Sequence, residues 1–247
     1  MARLARVVAA GSPHLVTQRG NRGQKVFFSD SDYELYLELL AEGAEGARTA
    51  VWAYALLPDR VHLLLVPSDE DGLRAALGES HRRYTRAIND RKNWRGFLWQ
   101  GRFSSFPMDE DHLLACAKFV EWSPVLRKIA KRPRDYGWSS AGAHLAGRDD
   151  HVVRVKPLLE RVRSWRTFLD EPLTDEERED VRAHESTGRP LGSPVFVARL
   201  EKRLGRTLAR QKPGPKPRKP RKAVVVVSRA GMRNDFVNRR YAKPQRK

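Results

Sequence analysis

The chain has 247 residues, with 48 Lys and Arg against 30 Asp and Glu and a net charge of +18 at pH 7. Its length is enough for a proper core, and its single cysteine, Cys116, forms no internal disulfide, so a disulfide-stapled module is excluded and a reducing cytoplasm is expected. No run nears the roughly 20 apolar residues of a membrane span, and residues 1–10 lack the apolar stretch of a signal peptide, so no membrane is expected as a partner.

Residues 13–19 (PHLVTQR) alternate apolar and polar as a half-buried strand does. Ser29, Asp30, Ser31 and Asp32 offer helix caps ahead of the apolar periodicity of residues 33–40. Residues 49–57 (TAVWAYALL) and 60–66 (RVHLLLV) read as two strands, and Pro58-Asp59 between them is a tight connection that makes them a hairpin. A helix over residues 73–89 follows, with Arg82, Arg83 and Arg86 on its later turns, and then a short strand over residues 101–106. Asp109, Glu110 and Asp111 start a helix that runs through Phe119 and is stopped or kinked near Pro124. The order β-α-β-β-α-β-α predicts an α+β fold with a ferredoxin-like, split βαβ core, an antiparallel sheet with helices on one face.

Beyond Trp138-Ser139-Ser140 the character changes. A helix is expected over residues 158–169. Thr174 and Glu177 have capping-box spacing for another that ends near Ser186, and Ser193 caps a third carrying Val195, Phe196, Val197, Leu200 and Leu204. These helices form either a helix-turn-helix-like element or a helical appendage packed on the core. Residues 211–247 hold 13 Lys and Arg against one acid, Asp235. Their Lys-Pro-rich run, with Lys216, Arg218, Lys219, Arg221 and Lys222, reads as a disordered basic tail suited to phosphate contact. Three regions result: 1–145, 146–210 as helical appendage, and 211–247 as tail. Arg82, Arg83, Arg86, Arg91, Lys92, Trp94 and Arg95 mix charge with an aromatic, as a surface that stacks bases would; a solvated helix face fits the same pattern.

Residues 57–64 (LPDRVHLL) and 116–125 (CAKFVEWSPV) resemble the catalytic blocks of the REP-associated tyrosine transposases, relatives of the IS200-type single-strand transposases. Further landmarks of that family stand in order over residues 3–218: Gln18-Arg19-Gly20-Asn21-Arg22, Trp99-Gln100-Gly101-Arg102, Trp138-Ser139-Ser140 and Thr187-Gly188-Arg189-Pro190-Leu191-Gly192-Ser193. The resemblance implies a His-hydrophobic-His (HUH) metal site, a tyrosine nucleophile on a helix, Mg²⁺ or Mn²⁺ as cofactor, a homodimer, and single-stranded or REP-type hairpin DNA as partner.

Matched residue by residue, His62 falls at the second metal ligand. Arg60 stands where the first His would be, Phe119 where the tyrosine would be, and Ser123 at the third ligand. Arginine stays protonated and ligates no metal. A phenyl ring has no oxygen to attack phosphorus. The expectation is a DNA-binding protein of transposase ancestry, impaired in strand cleavage and without a cofactor, that uses Arg60, Arg82, Arg83, Arg86, Arg102, Arg189 and the tail on phosphates. The competing readings are a working nickase and ligase with a substitute nucleophile (Tyr54, Tyr84 or Tyr136) or a partner subunit's residues, and an RNA-binding protein. Taken alone, His62 and Phe119 also read as core residues.

Overall fold

A computed structural model describes residues 6–209. The expected strands form one four-stranded sheet: β1 (His14–Arg19), β2 (Thr49–Leu57), β3 (Arg60–Pro67) and β4 (Ser104–Pro107), in the order β2-β3-β1-β4. Each neighbouring pair is antiparallel, which is the split βαβ arrangement. The Pro58-Asp59 connection leaves Leu57 paired with Arg60, as a two-residue hairpin requires.

Helices α1 (Asp30–Gly46) and α2 (Gly72–Lys92) cover one face, over Val16, Tyr54, Leu56, Leu63 and Leu65. Ser29 and Asp32 close a capping box at the start of α1. The two helices approach so closely at Gly43 that a Cβ there would collide with the Ala76 carbonyl and the Ser80 hydroxyl. The expected one-sided layer is only half of the architecture. Leu15, Ala53, Ala55, Leu64 and Phe106, on the opposite pleat, meet α3 (Glu110–Leu126), α6 (Trp165–Asp170) and α7 (Asp175–Thr187). Leu63, Leu64 and Leu65 are all fully buried because the sheet is covered on both sides.

Residues 146–209 belong to the same compact unit as the sheet. The single helix expected over residues 158–169 is instead two short ones, α5 (Lys156–Leu159) and α6, because the Ser164 hydroxyl accepts the Thr167 amide (3.3 Å) and starts a new helix. The capping box of Thr174 and Glu177 opens α7, and Ser193 caps α8 (Pro194–Leu204). Helix α7 packs against α3, β4 and β1, whereas α8 packs with Val7 and Ala9 in a separate cluster. The two helices therefore pack on two different surfaces.

Both sheet edges are occupied. On β2, the Leu56 amide donates to the Trp138 carbonyl (2.9 Å) and the Arg154 amide to Val51 (2.8 Å). The Tyr54 carbonyl accepts from the Ser140 amide (2.9 Å). On β4, the Leu191 amide donates to Pro107 (2.9 Å) and the Asp109 amide to Leu191 (3.1 Å). Beneath the first edge lies a buried network in which Glu121 accepts from Ser140 Oγ (2.6 Å) and Trp165 Nε1 (2.9 Å) and pairs with Nδ1 of His144 (2.7 Å), on α4 (Ala141–Ala146). Among the described residues no helix is long and apolar enough to cross a membrane.

Candidate nucleic-acid interface

Sheet register assembles the site. In β1 and β3, Thr17 lies opposite His62 and Arg19 opposite Arg60. Alternation then puts Arg60 and His62 on the same pleat as Leu64, beneath α3. Asp109 caps α3 by accepting the His112 amide (3.3 Å) and also takes the Ser193 amide (2.7 Å), so one carboxylate ties the helix start to α8. One turn apart on α3, Phe119 and Ser123 then face the strand residues. The Phe119 ring stands edge-on to the His62 imidazole, with centroids 5.4 Å apart and planes at 87°. His62 Nδ1 lies 3.0 Å from Thr17 Oγ1, and Ser123 Oγ donates to the Phe119 carbonyl (2.8 Å). Arg60, His62, Phe119 and Ser123 thus come together as expected from the sequence.

Around them opens a cleft of about 540 Å³ whose charge is strongly one-sided. Arg19, Arg60, Arg102, Arg127 and Arg182 line it against one acid, Glu185. At the rim, Asp59 accepts from Arg60 Nε (3.2 Å) and Nη2 (2.7 Å) and from Arg127 Nη2 (3.1 Å). One carboxylate therefore orders two guanidiniums, and the Nη1 donors of Arg60 keep no partner among the described residues. Partial burial pushes the Asp59 carboxyl up, and Arg60 and Arg127 more than reverse this, holding it below the ordinary carboxylate range.

Glu185, 8 % exposed on α7, lies 3.0 Å from Arg19 Nη2. Burial raises its carboxyl, and the surrounding His62, Arg19 and Thr17 outweigh that, leaving it lowered. His62, only 4 % exposed, is driven down to about 4 by burial, with Glu185 pulling the other way. At neutral pH it is a neutral imidazole among arginines.

A divalent metal does not fit this donor set. Among the described residues no group of three or more His, Cys, Asp and Glu is placed to hold one. His62 has a guanidinium beside it on the same pleat, Ser123 gives its proton to the helix backbone, and Glu185 is taken by Arg19. Among the described residues no tyrosine lines the cleft. Tyr54 donates to Asp150 (2.9 Å), Tyr84 to the Val26 carbonyl (2.7 Å) and Tyr136 to the Leu56 carbonyl (2.5 Å).

Of the other expected contacts, Arg102 lines the cleft. Arg82, Arg83 and Arg86 do not: they lie on α2, across the sheet, paired with Glu79, Glu42 and Asp90. Arg189 donates to the Leu208 carbonyl, outside the cleft. Lys216, Arg218, Lys219, Arg221 and Lys222 lie outside the described residues. Arg19, Arg127, Arg182 and Glu185 line the cleft without having been expected there. Arg19 had a signal in the register opposite Arg60. Glu185 had one as an acid one turn after Val181, on the inward side of α7.

No family model and no curated protein matches the chain. Among solved structures, it is similar to a REP-associated tyrosine transposase bound to a REP hairpin, with a TM-score of 0.52, 18 % identity, and coverage of 62 % of this chain and 92 % of that one. It is also matched to a proposed transposase from Deinococcus radiodurans R1, at a TM-score of 0.35 and 23 % identity, covering 52 % of this chain and 98 % of that one. The first likeness establishes a shared fold; the second superposition is too loose to add to it.

Proposed function

We propose that this chain belongs to the REP-associated tyrosine transposases and binds single-stranded or hairpin DNA without cutting it. One observation carries the reading: where that family's resemblance calls for a metal and a tyrosine, the cleft presents five arginines, a phenyl ring and a neutral histidine. Guanidiniums grip phosphate oxygens through paired N–H donors. Asp59 holds one edge of the Arg60 fork, so its Nη1 side is pre-ordered toward a phosphate instead of being frozen on binding. Cleavage needs a nucleophile, and Phe119 supplies none. The basic residues of 211–247 add sequence-independent attraction, each phosphate neutralised on a single strand contributing about −0.7 to the slope of log affinity against log salt.

The test uses the purified full chain with end-labelled DNA hairpins carrying a single-stranded flank. A charge-assisted hydrogen bond contributes about 1.5–3 kcal/mol, so Arg60→Ala is expected to weaken binding about 10- to 100-fold. A denaturing gel of the same mixture with Mg²⁺ or Mn²⁺ is expected to show neither cleaved strand nor covalent adduct. Unchanged affinity rejects the cleft as the phosphate site, and an adduct rejects the loss of cleavage. Competition with a matched RNA hairpin separates DNA from RNA binding.

A further inference from the structure

Phe97 is 85 % exposed, more than any other large apolar side chain among the described residues, and the next aromatic, Trp94, is 43 % exposed. We propose that Phe97, on the same loop as Trp94, is a base-stacking site that takes an unpaired nucleobase of the strand whose phosphates occupy the arginine cleft. This inference rests on the DNA-binding reading above and extends it to a second contact.

The loop carrying these rings is anchored, so Phe97 is held outward. Asn93 ends α2 in the left-handed region (φ 53°), and the Trp94 amide returns to the Asn89 carbonyl (2.8 Å). Asn89 Nδ2 donates to the Gly96 carbonyl (3.0 Å). On the other side of Phe97, the Leu98 carbonyl accepts the Asn21 amide (2.8 Å) and Gln24 Nε2 (3.2 Å), while Leu98 and Trp99 are buried. Trp94 stands edge-on to Phe28 at 5.6 Å, and Lys92 Nζ lies 4.5 Å from the centre of that same Phe28 ring. With the backbone already anchored, only the side-chain rotation of Phe97 is lost when the ring stacks.

Charge and continuity name the occupant. Around the tip, Arg22, Lys25, Lys92 and Arg95 are exposed. A protein surface meant for an apolar partner depletes such charges, whereas single-strand sites pair aromatic platforms with cations. The chain also leads directly from the ring into the cleft. Gln100 lines the cleft and donates its amide to the Arg19 carbonyl (2.8 Å), so Phe97 is at most about 11 Å of extended backbone away.

The experiment compares a short unstructured oligodeoxynucleotide with an abasic strand of equal phosphate number, by fluorescence anisotropy on the full chain. Wild type is expected to prefer the base-bearing strand about 5- to 100-fold. Phe97→Ala should abolish that preference while leaving abasic binding unchanged, and Phe97→Tyr should retain it. A wild-type protein that binds both strands equally, or a Phe97→Ala variant that keeps the preference, overturns the stacking site but leaves the cleft reading standing. Failure of wild type to bind either strand overturns both.

Discussion

Acidification is expected to destabilise this fold well before its carboxylates titrate. Three histidines are buried without a charged partner close enough to keep them protonated: His14 and His62, held down to about 4, and His81, to about 3. Burial is the main cause in each. An unfolded histidine titrates near 6.5, above all three folded values, so the unfolded chain binds more protons in between. Their contribution is complete above pH 6.5 and is lost as pH falls from there towards 4. At pH 5 the loss spans about 1.5 pH units, or about 2 kcal/mol per histidine and about 6 kcal/mol for the three. That is comparable with the whole stability of an ordinary domain, about 5–15 kcal/mol. Urea unfolding at pH 7.5 and 5.0, at constant ionic strength, measures it. His81→Gln keeps a polar partner for the Tyr36 hydroxyl, which lies 2.9 Å from His81 Nε2, and should remove about a third of the loss. Unfolding free energies equal within about 1 kcal/mol at the two pH values would refute the reasoning.

Asp59→Asn removes the anion shared by Arg60 and Arg127, and is expected to tighten DNA binding by about 2- to 5-fold at low salt, an advantage that shrinks as salt screens it. Weaker binding at every salt concentration would show that ordering the guanidiniums outweighs the extra charge. Phe119→Tyr restores a phenol edge-on to His62, yet is expected to give no covalent DNA adduct with Mg²⁺ or Mn²⁺, because Arg60 and the backbone-bonded Ser123 remain; an adduct on a denaturing gel contradicts this. Glu121→Ala strands the Ser140, His144 and Trp165 donors in the interior and should lower the unfolding free energy by about 3–5 kcal/mol, read as a shifted urea midpoint; a loss under 1 kcal/mol would mean that water replaces the carboxylate.

The βαββαβα order was legible because each element carried its own punctuation. Pro58-Asp59 marked the hairpin, and the capping residues Ser29, Asp109, Thr174 and Ser193 all stand where their helices begin. The second helical layer was less legible, although the unbroken run Leu63-Leu64-Leu65 already implied burial on both pleats. Helix α6 was merged with α5 because apolar spacing bridges the Ser164 break. In the site, the pairing of strand and helix residues brought His62 to Phe119, as local motifs suggested. The arginine count was not local at all: Arg19, Arg102, Arg127 and Arg182 come from four separate parts of the chain, and only folding puts them in one cleft. Charge density along the sequence pointed instead to residues 211–247, which lie outside the described residues, and to α2, whose arginines are balanced by neighbouring acids.

The internal pairing of both outer strands bears on how copies of the protein could help one another. Subunits that merge their sheets need a strand with bare backbone groups to offer, and here residues 138, 140, 154 and 191 bond to the outer strands. The same pairing shields the chain from runaway cross-strand association. A truncation before Trp138 would strip β2 of its cover and turn a tidy border into a sticky one.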